Sequence, residues 1–246
     1  MKLKNYNDAF FKYLNSGSSK SAELIIPLIL DQLSIQSVLD VGCGQGAWLS
    51  IWKKYGVKNI FGIDGNYVNN LLIDEQYFLP HNLDNAFDLE SKFDLVQCLE
   101  VVEHLPKDKS RIIIESLIRH GNIVLFSAAT KGQGGDNHIN EQSYEYWRSI
   151  FSDYEYVPID FIRPIISNIN GIEPWYSYNI ILYVSADYLC NLPQSIKDCI
   201  VPEGQKINDI SPIWYRARKL LIRILPIKVV TLLAKFKEKI VYLKRT

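Results

Sequence analysis

Apolar positions along the chain fall into two rhythms that alternate. Short β-branched runs at SVLDVG (37–42), NIFGID (59–64), YFLPHN (77–82), FDLVQCL (93–99) and GNIVLFSAA (121–129) have the length and composition of buried strands. Between them, GAWLSIWKKYG (46–56) and PKDKSRIIIESLIRHG (106–121) carry apolar residues at helical spacing. The first stops at Gly56; the second opens with Pro106 and stops at Gly121. YEYVPIDFI (154–162) and WYSYNIILYVS (175–185) predict two further strands, preceded by the helix NEQSYEYWRSIF (140–151). This alternation predicts an α/β fold: a doubly wound, Rossmann-like sheet of seven strands with helices on both faces.

Near residue 190 the rhythm gives way to LCNLPQSIKDCIVPEGQKINDISP, rich in breakers. We therefore read residues 1–190 as the main domain and 191–246 as a connector with a tail. The tail mixes aliphatics, aromatics and cations at spacings that predict one or two amphipathic helices broken at Pro226.

Charge sharpens that division. The chain has 27 basic and 27 acidic residues, but residues 211–246 hold ten Lys/Arg against Glu238 alone. The other 210 residues carry the mirror-image acidic excess of nine, so a polyanion such as nucleic acid finds few partners there. For the tail, three roles stay open: packing on the acidic domain, lying on an anionic membrane, or binding a partner. Cys43, Cys98, Cys190 and Cys199 show no metal or disulfide spacing. The start MKLKNYNDAFF lacks an apolar leader core, and no apolar stretch is long enough to span a bilayer. The expected location is cytoplasmic, with peripheral attachment at the inner membrane face through residues 211–246.

The first strand delivers Gly42, Gly44 and Gly46 to a helix N-terminus, a turn that lets backbone approach a ligand closely. Asp64 ends the second strand, 20 residues beyond Gly44, where a carboxylate accepts ribose hydroxyls. An adenosine-containing ligand follows: a dinucleotide, or S-adenosylmethionine. Asp40, two residues before the first glycine, repels a pyrophosphate but suits the ammonium of a methionyl group.

The stretches LDVGCGQG, GIDG and FDLVQCLEVVEHLP resemble the class I S-adenosylmethionine-dependent methyltransferases over roughly residues 15–185. LFSAATKGQGGDNHINEQSYEYW and RPIISNINGIEPWYSYNIIL resemble a bacterial subgroup associated with sugar and surface-polysaccharide gene clusters. The resemblance implies that the last strand is antiparallel. It also implies that Asp40, Gly42, Gly44 and Gly46 hold the methionyl end, Asp64 the ribose, and Asn82 with Leu83 the adenine edge, with Gly65 and Leu99 among the other cofactor-binding residues. Tyr13 and the serines of NSGSSKSAEL are expected to cover the cofactor, with Ser19 or Ser21 capping a helix.

Glu100, Glu103 and His104 are spaced i, i+3, i+4, which puts them on one face of a helical turn. His138 and Asn140 follow the fifth strand, where Gly134 and Gly135 let the chain bend toward the same crevice. Glu100, Glu103, His104 and His138 form a candidate site for Mn²⁺, Mg²⁺ or Fe²⁺, similar to the two-Glu, two-His set of the small-RNA 2′-O-methyltransferases. Without a cation, His104 or His138 serves as general base, with Glu100 alongside. Asn140, Arg163, Trp175, Tyr176 and Asn179 are the expected acceptor-binding residues. The function expected is O-methylation of a sugar, nucleotide-linked or a surface-glycan precursor. RNA ribose 2′-O-methylation and a non-catalytic binding subunit are the alternatives.

Overall fold

The computed structural model describes residues 8–226 and 229–232, with side chains from Gly17 onward. The side chain of Tyr13 and the tail beyond residue 232 lie outside what is described. The chain opens with α1 (Asp8–Leu30), whose Ala22, Ile25, Ile26 and Ile29 recur at helical spacing and are wholly buried. Pro27 interrupts its ladder, and the carbonyl of Glu23 accepts the Tyr55 hydroxyl instead, at 3.2 Å. The helix begins before both candidate capping serines. Ser21 instead donates to the Gly17 carbonyl within the helix and accepts from Glu173 N–H.

There follow β1 (Ser37–Val41), α2 (Ala47–Lys54), β2 (Asn59–Asp64), β3 (Phe78–Pro80), β4 (Leu95–Leu99), α3 (Ser110–His120), β5 (Ile123–Ser127) and α4 (Tyr144–Ser152). The chain continues through β6 (Tyr156–Ile159), α5 (Ile162–Ile166), α6 (Pro174–Asn179), β7 (Ile181–Ser185), α7 (Gln194–Lys197) and α8 (Ile213–Arg223). The seven strands lie in the order β3-β2-β1-β4-β5-β7-β6. The first five are parallel, and β7 runs antiparallel to β5 and β6. The expected doubly wound sheet is present, with β7 rather than an edge strand inserted last.

Each face of the sheet carries its own core. One gathers α1, α2, α5 and α6 around Ile25, Leu49, Trp52 and Ile166. The other gathers α3 and α4 around Ile113, Leu117 and Phe151, whose ring stacks on Tyr183 at 3.9 Å. Apolar burial on both faces explains why β1, β4 and β5 read as continuous hydrophobic runs.

Several elements differ from expectation. Residues 175–179 are helical, because Pro174 occupies the first turn of α6 and pre-sets its backbone; strand β7 starts only at Ile181. Likewise β6 stops at Ile159 and the chain turns into α5. The boundary placed after residue 190 does not separate two bodies. Leu192 and Ile196 are buried in the first core, Ile200 bridges to Ile159, and Arg148 donates to the carbonyls of Val201, Pro202 and Gln205. None of the described helices is long and apolar enough to cross a membrane.

Candidate active site

The sheet order reverses between β1 and β4, and a cavity of about 780 Å³ opens beyond the C-terminal strand ends at this switch point. On its β1 side the turn after Val41 is left-handed at Gly42, Gly44 and Gly46. At Gly42 (φ 81°) a side chain is excluded twice over: the backbone conformation disfavours it, and a Cβ would meet Val101 Cγ2 at 2.2 Å. The turn runs into α2, where no side chain caps Gly46, leaving the helix N-terminus for a ligand.

Asp64 anchors the opposite wall. Its Oδ2 accepts Gly44 N–H at 2.7 Å, and its Oδ1 accepts Gly65 N–H and the Tyr67 hydroxyl, each at 2.6 Å. A hydroxyl-bearing ligand thus meets a carboxylate already holding three donors, of which only the Tyr67 hydroxyl is on a movable side chain. Asp40 is buried beneath the turn, and burial, with the charge of Asp64 adding to it, pushes its carboxyl up to about 7. Asp64 is also raised, again by burial. Asn82, Leu83 and Leu99 line the same cavity, as do Gly65 and Trp48.

The β4 side is built differently from the single helical face expected. Glu100 sits at φ 57°, so the chain reverses there before one tight turn at Val102–His104. This points Glu100 and Glu103 at different partners. Glu100 receives Gln133 Nε2 at 2.7 Å on Oε2 and Asn179 Nδ2 at 3.2 Å on Oε1. Glu103 accepts Ala129 N–H on Oε1, while its Oε2 is buried without a hydrogen-bond partner. Burial, then the charge of Glu100, holds the Glu103 carboxyl well above the usual range.

The two histidines meet here, their rings edge to face at 4.9 Å. His138 Nδ1 lies 3.1 Å from Glu141 Oε1. Although partly buried, Glu141 is held low by hydrogen bonds from His138 and from the N–H groups of Gly134 and Gly132. An anionic carboxylate only accepts, so His138 Nδ1 carries a proton, and in the neutral ring Nε2 is the acceptor. His104 Nδ1 faces the carbonyl of Asn137 at 3.3 Å, which orients its Nε2 in the same sense. A Cβ at Gly135 would fall 2.1 Å from His138 Nε2, so only glycine there lets the imidazole pack this close to the backbone. Glu103, His104 and His138 each present one donor atom, all within 4.8 Å of one another. Glu100 is not in that group, and its oxygens accept from Gln133 and Asn179.

Of the expected acceptor residues, Trp175 and Tyr176 line the cavity. Arg163, 0% exposed, instead forks onto Asp160 and donates to the carbonyls of Tyr178 and Asn208. Asn140 is buried too, binding the Val102 carbonyl and Ser110 Oγ. Asn179 reaches the site only through Glu100, Gln133 and Tyr144. These three brace the site from behind. Ser18, one of the serines expected to cover the cofactor, lines the cavity; sequence reasoning passed over Tyr67, Gln133, Glu141 and the face of α8 carrying Trp214, Tyr215 and Arg218, of which all but Glu141 line it too. Gln133 lies between the glycines of the 132–135 bend, the one local signal that marked it, and Glu141 accepts the N–H groups of Gly132 and Gly134 from six residues further on.

Asp40, Asp64, Glu100, Glu103 and Asp136 face the cavity, against a single described Lys or Arg in its lining, Arg218. Such a chamber favours a cationic guest over a pyrophosphate. A family model for the methyltransferase domain matches residues 8–161, more than half the chain. The chain belongs to the methyltransferase domain family.

Among relatives, a ubiquinone biosynthesis O-methyltransferase of Neisseria meningitidis is 30% identical over 50% of this chain and 59% of its own length. That of Coxiella burnetii is 32% identical over 47% and 56%. The chain thus matches under two thirds of each of these curated relatives. Solved methyltransferases share the fold. Magnesium protoporphyrin IX methyltransferase of Synechocystis PCC 6803, with bound SAH, has a TM-score of 0.53 at 18% identity, covering 75% of this chain and 90% of that one. DesVI of Streptomyces venezuelae gives 0.55 at 13%, covering 73% and 96%. The methyltransferase domain of bacterial CtHen1 gives 0.51 at 17%, covering 69% and 98%.

Proposed function

We propose that this methyltransferase-family protein transfers a methyl group from S-adenosylmethionine to a hydroxyl of a sugar, nucleotide-linked or a surface-glycan precursor. The observation that carries the reading is one cavity in which an acid-lined glycine turn adjoins two histidines set edge to face, His138 held by Glu141. When bound, S-adenosylmethionine supplies the methyl of its sulfonium. Asp40 and the Gly42–Gly46 turn hold its methionyl end, Asp64 the ribose in place of Tyr67, and Asn82 and Leu83 the adenine edge. His138, oriented by Glu141, accepts the acceptor hydroxyl's proton at Nε2 as the methyl transfers, with His104 beside it. Trp175, Tyr176 and Trp214 offer ring faces to a sugar and keep water from the chamber.

The same residues fit a divalent cation. The buried Oε2 of Glu103 lacks a partner, and with His104 and His138 it makes a mixed oxygen and nitrogen set suited to Mn²⁺ or Fe²⁺ more than to Mg²⁺. A bound cation would lower the pKa of a hydroxyl placed against it. The acidic chamber argues against RNA as acceptor, and the intact Asp40 and Asp64 argue against a merely structural role.

The experiment is a methyl-transfer screen by mass spectrometry. Nucleotide-sugars, phenolic acceptors and a short RNA are each offered with S-adenosylmethionine, with Mn²⁺ or with EDTA. Mass gain of one methyl on a nucleotide-sugar is expected. Transfer confined to phenols or RNA would overturn the sugar reading, and no cofactor binding by calorimetry would overturn the whole.

A further inference from the structure

The helix α8 has an inverted surface. Its inner side seats Tyr215 and Lys219, with Lys219 Nζ paired to Asp209 and bonded to Thr130. Arg218 donates to the Gln133 carbonyl at 2.9 Å and Arg223 to that of Lys131 at 2.9 Å. Trp214, Tyr215, Arg218, Leu221 and Ile222 wall the cavity. The helix is thus pinned by polar bonds, and most of its large aliphatic side chains face outward.

Among the described residues, eight of the twelve exposed large hydrophobics fall between Ile213 and Leu232. Ile213 (78% exposed), Leu220 (61%) and Ile224 (78%) lie within about 40° of one another on the helical wheel, with Arg216 and Arg223 along one flank and no acid in the helix. Five more Lys/Arg follow in residues 233–246, opposite the acidic excess of the remaining chain. An apolar stripe bordered by cations is matched to a surface that is apolar within and anionic at its face.

We propose that α8 is an interfacial helix that seats this protein on an anionic phospholipid bilayer. Ile213, Leu220 and Ile224 enter the acyl boundary and Arg216 and Arg223 contact headgroups. Because the other side of α8 walls the cavity, docking brings the chamber to the bilayer surface, where an amphiphilic acceptor presents its head. The acidic body is repelled by the same surface, so the tail side faces the lipid. Docking is independent of which acceptor is methylated: it is read without turnover, and its failure leaves the methyl-transfer reading untouched.

The test is cosedimentation of the full chain with phosphatidylcholine vesicles, with and without phosphatidylglycerol. Binding only to the anionic vesicles, and release at high salt, are expected. The triple variant Ile213→Glu, Leu220→Glu, Ile224→Glu should bind at least about tenfold more weakly while keeping its melting temperature and its cofactor affinity, since none of the three lines the cavity. Should the triple variant fail to fold, Ile224→Glu alone, with Arg216→Gln as a charge control, gives the same readout in smaller steps. No vesicle binding by the wild-type chain, or equal binding by the folded variants, overturns the proposal. So does a concentration-dependent dimer that the variants split, which would assign the stripe to a second copy of the chain.

Discussion

The two ends of the cavity are made by opposite means. The β1–β2 end is local: Asp40, the glycine turn and Asp64 occupy 25 consecutive positions, and backbone N–H groups of Gly44 and Gly65 do the bracing. The β4–β5 end is assembled from afar: Glu100 is held by Gln133 and Asn179, His138 by Glu141, and the roof comes from α8 near residue 218. A site built from backbone over a short span tolerates little change at a few positions. One built from side chains on distant elements distributes its tolerance, and its specificity can drift while its chemistry stays.

The largest effect should come from attacking the local end. Gly42→Ala combines a left-handed backbone, costing about 1–2 kcal/mol, with overpacking against Val101 of about 1–3 kcal/mol. We expect a marked fall in melting temperature and no measurable cofactor binding by calorimetry. Adding Val101→Ala should recover part of the stability and little of the binding.

Asp40→Asn separates binding from folding. The wild-type carboxyl, raised from 3.8 to about 7 by burial, stays protonated in the folded chain where the unfolded chain has already ionised. Its stability cost is therefore absent below 3.8, grows as pH rises to about 7, and is full above it, on the order of 4 kcal/mol. The variant should melt higher than wild type at pH 8 yet bind S-adenosylmethionine at least about tenfold more weakly. Wild-type affinity should fall as pH drops through about 7, where the carboxylate facing the ligand's ammonium is lost, and the variant's should stay flat.

At the assembled end, Glu103→Gln should abolish calorimetric Mn²⁺ binding, whereas Glu100→Gln should weaken it only a few-fold, because Glu100 is committed to Gln133 and Asn179. Equal loss in both would restore Glu100 to the ligand set. Gly135→Ala, whose Cβ clashes with the His138 ring and pushes it from its place, should lower the rate of transfer while leaving cofactor affinity unchanged.

The smallest effect is expected at Arg218→Met. Losing its bond to the Gln133 carbonyl, worth about 1.5–3 kcal/mol at most for a charged donor, should raise the acceptor KM several-fold with kcat and cofactor affinity nearly unchanged. An equal loss at the cofactor would show that the two ends are one unit.

The sequence by itself determined the seven-stranded doubly wound sheet and the local end of the cavity. Periodicity decides strand against helix where burial on both faces selects apolar runs, and Gly42, Gly44 and Asp64 act through backbone geometry that neighbours in sequence control. The tertiary structure decided the rest. The spacing of Glu100, Glu103 and His104 reads as one helical face, but the backbone turns left-handed at Glu100 and its carboxylate goes to Gln133 and Asn179. Arg163 and Asn140 have the chemistry of ligand binders, yet the packing of Asp160, Val102 and Ser110 around them consumes their donors. Glu141 and α8 join the site through contacts made across the fold, and no local pattern encodes which distant carbonyl or imidazole a side chain will meet. A polar side chain's role depends on which donors and acceptors burial leaves it, and only the folded chain sets that.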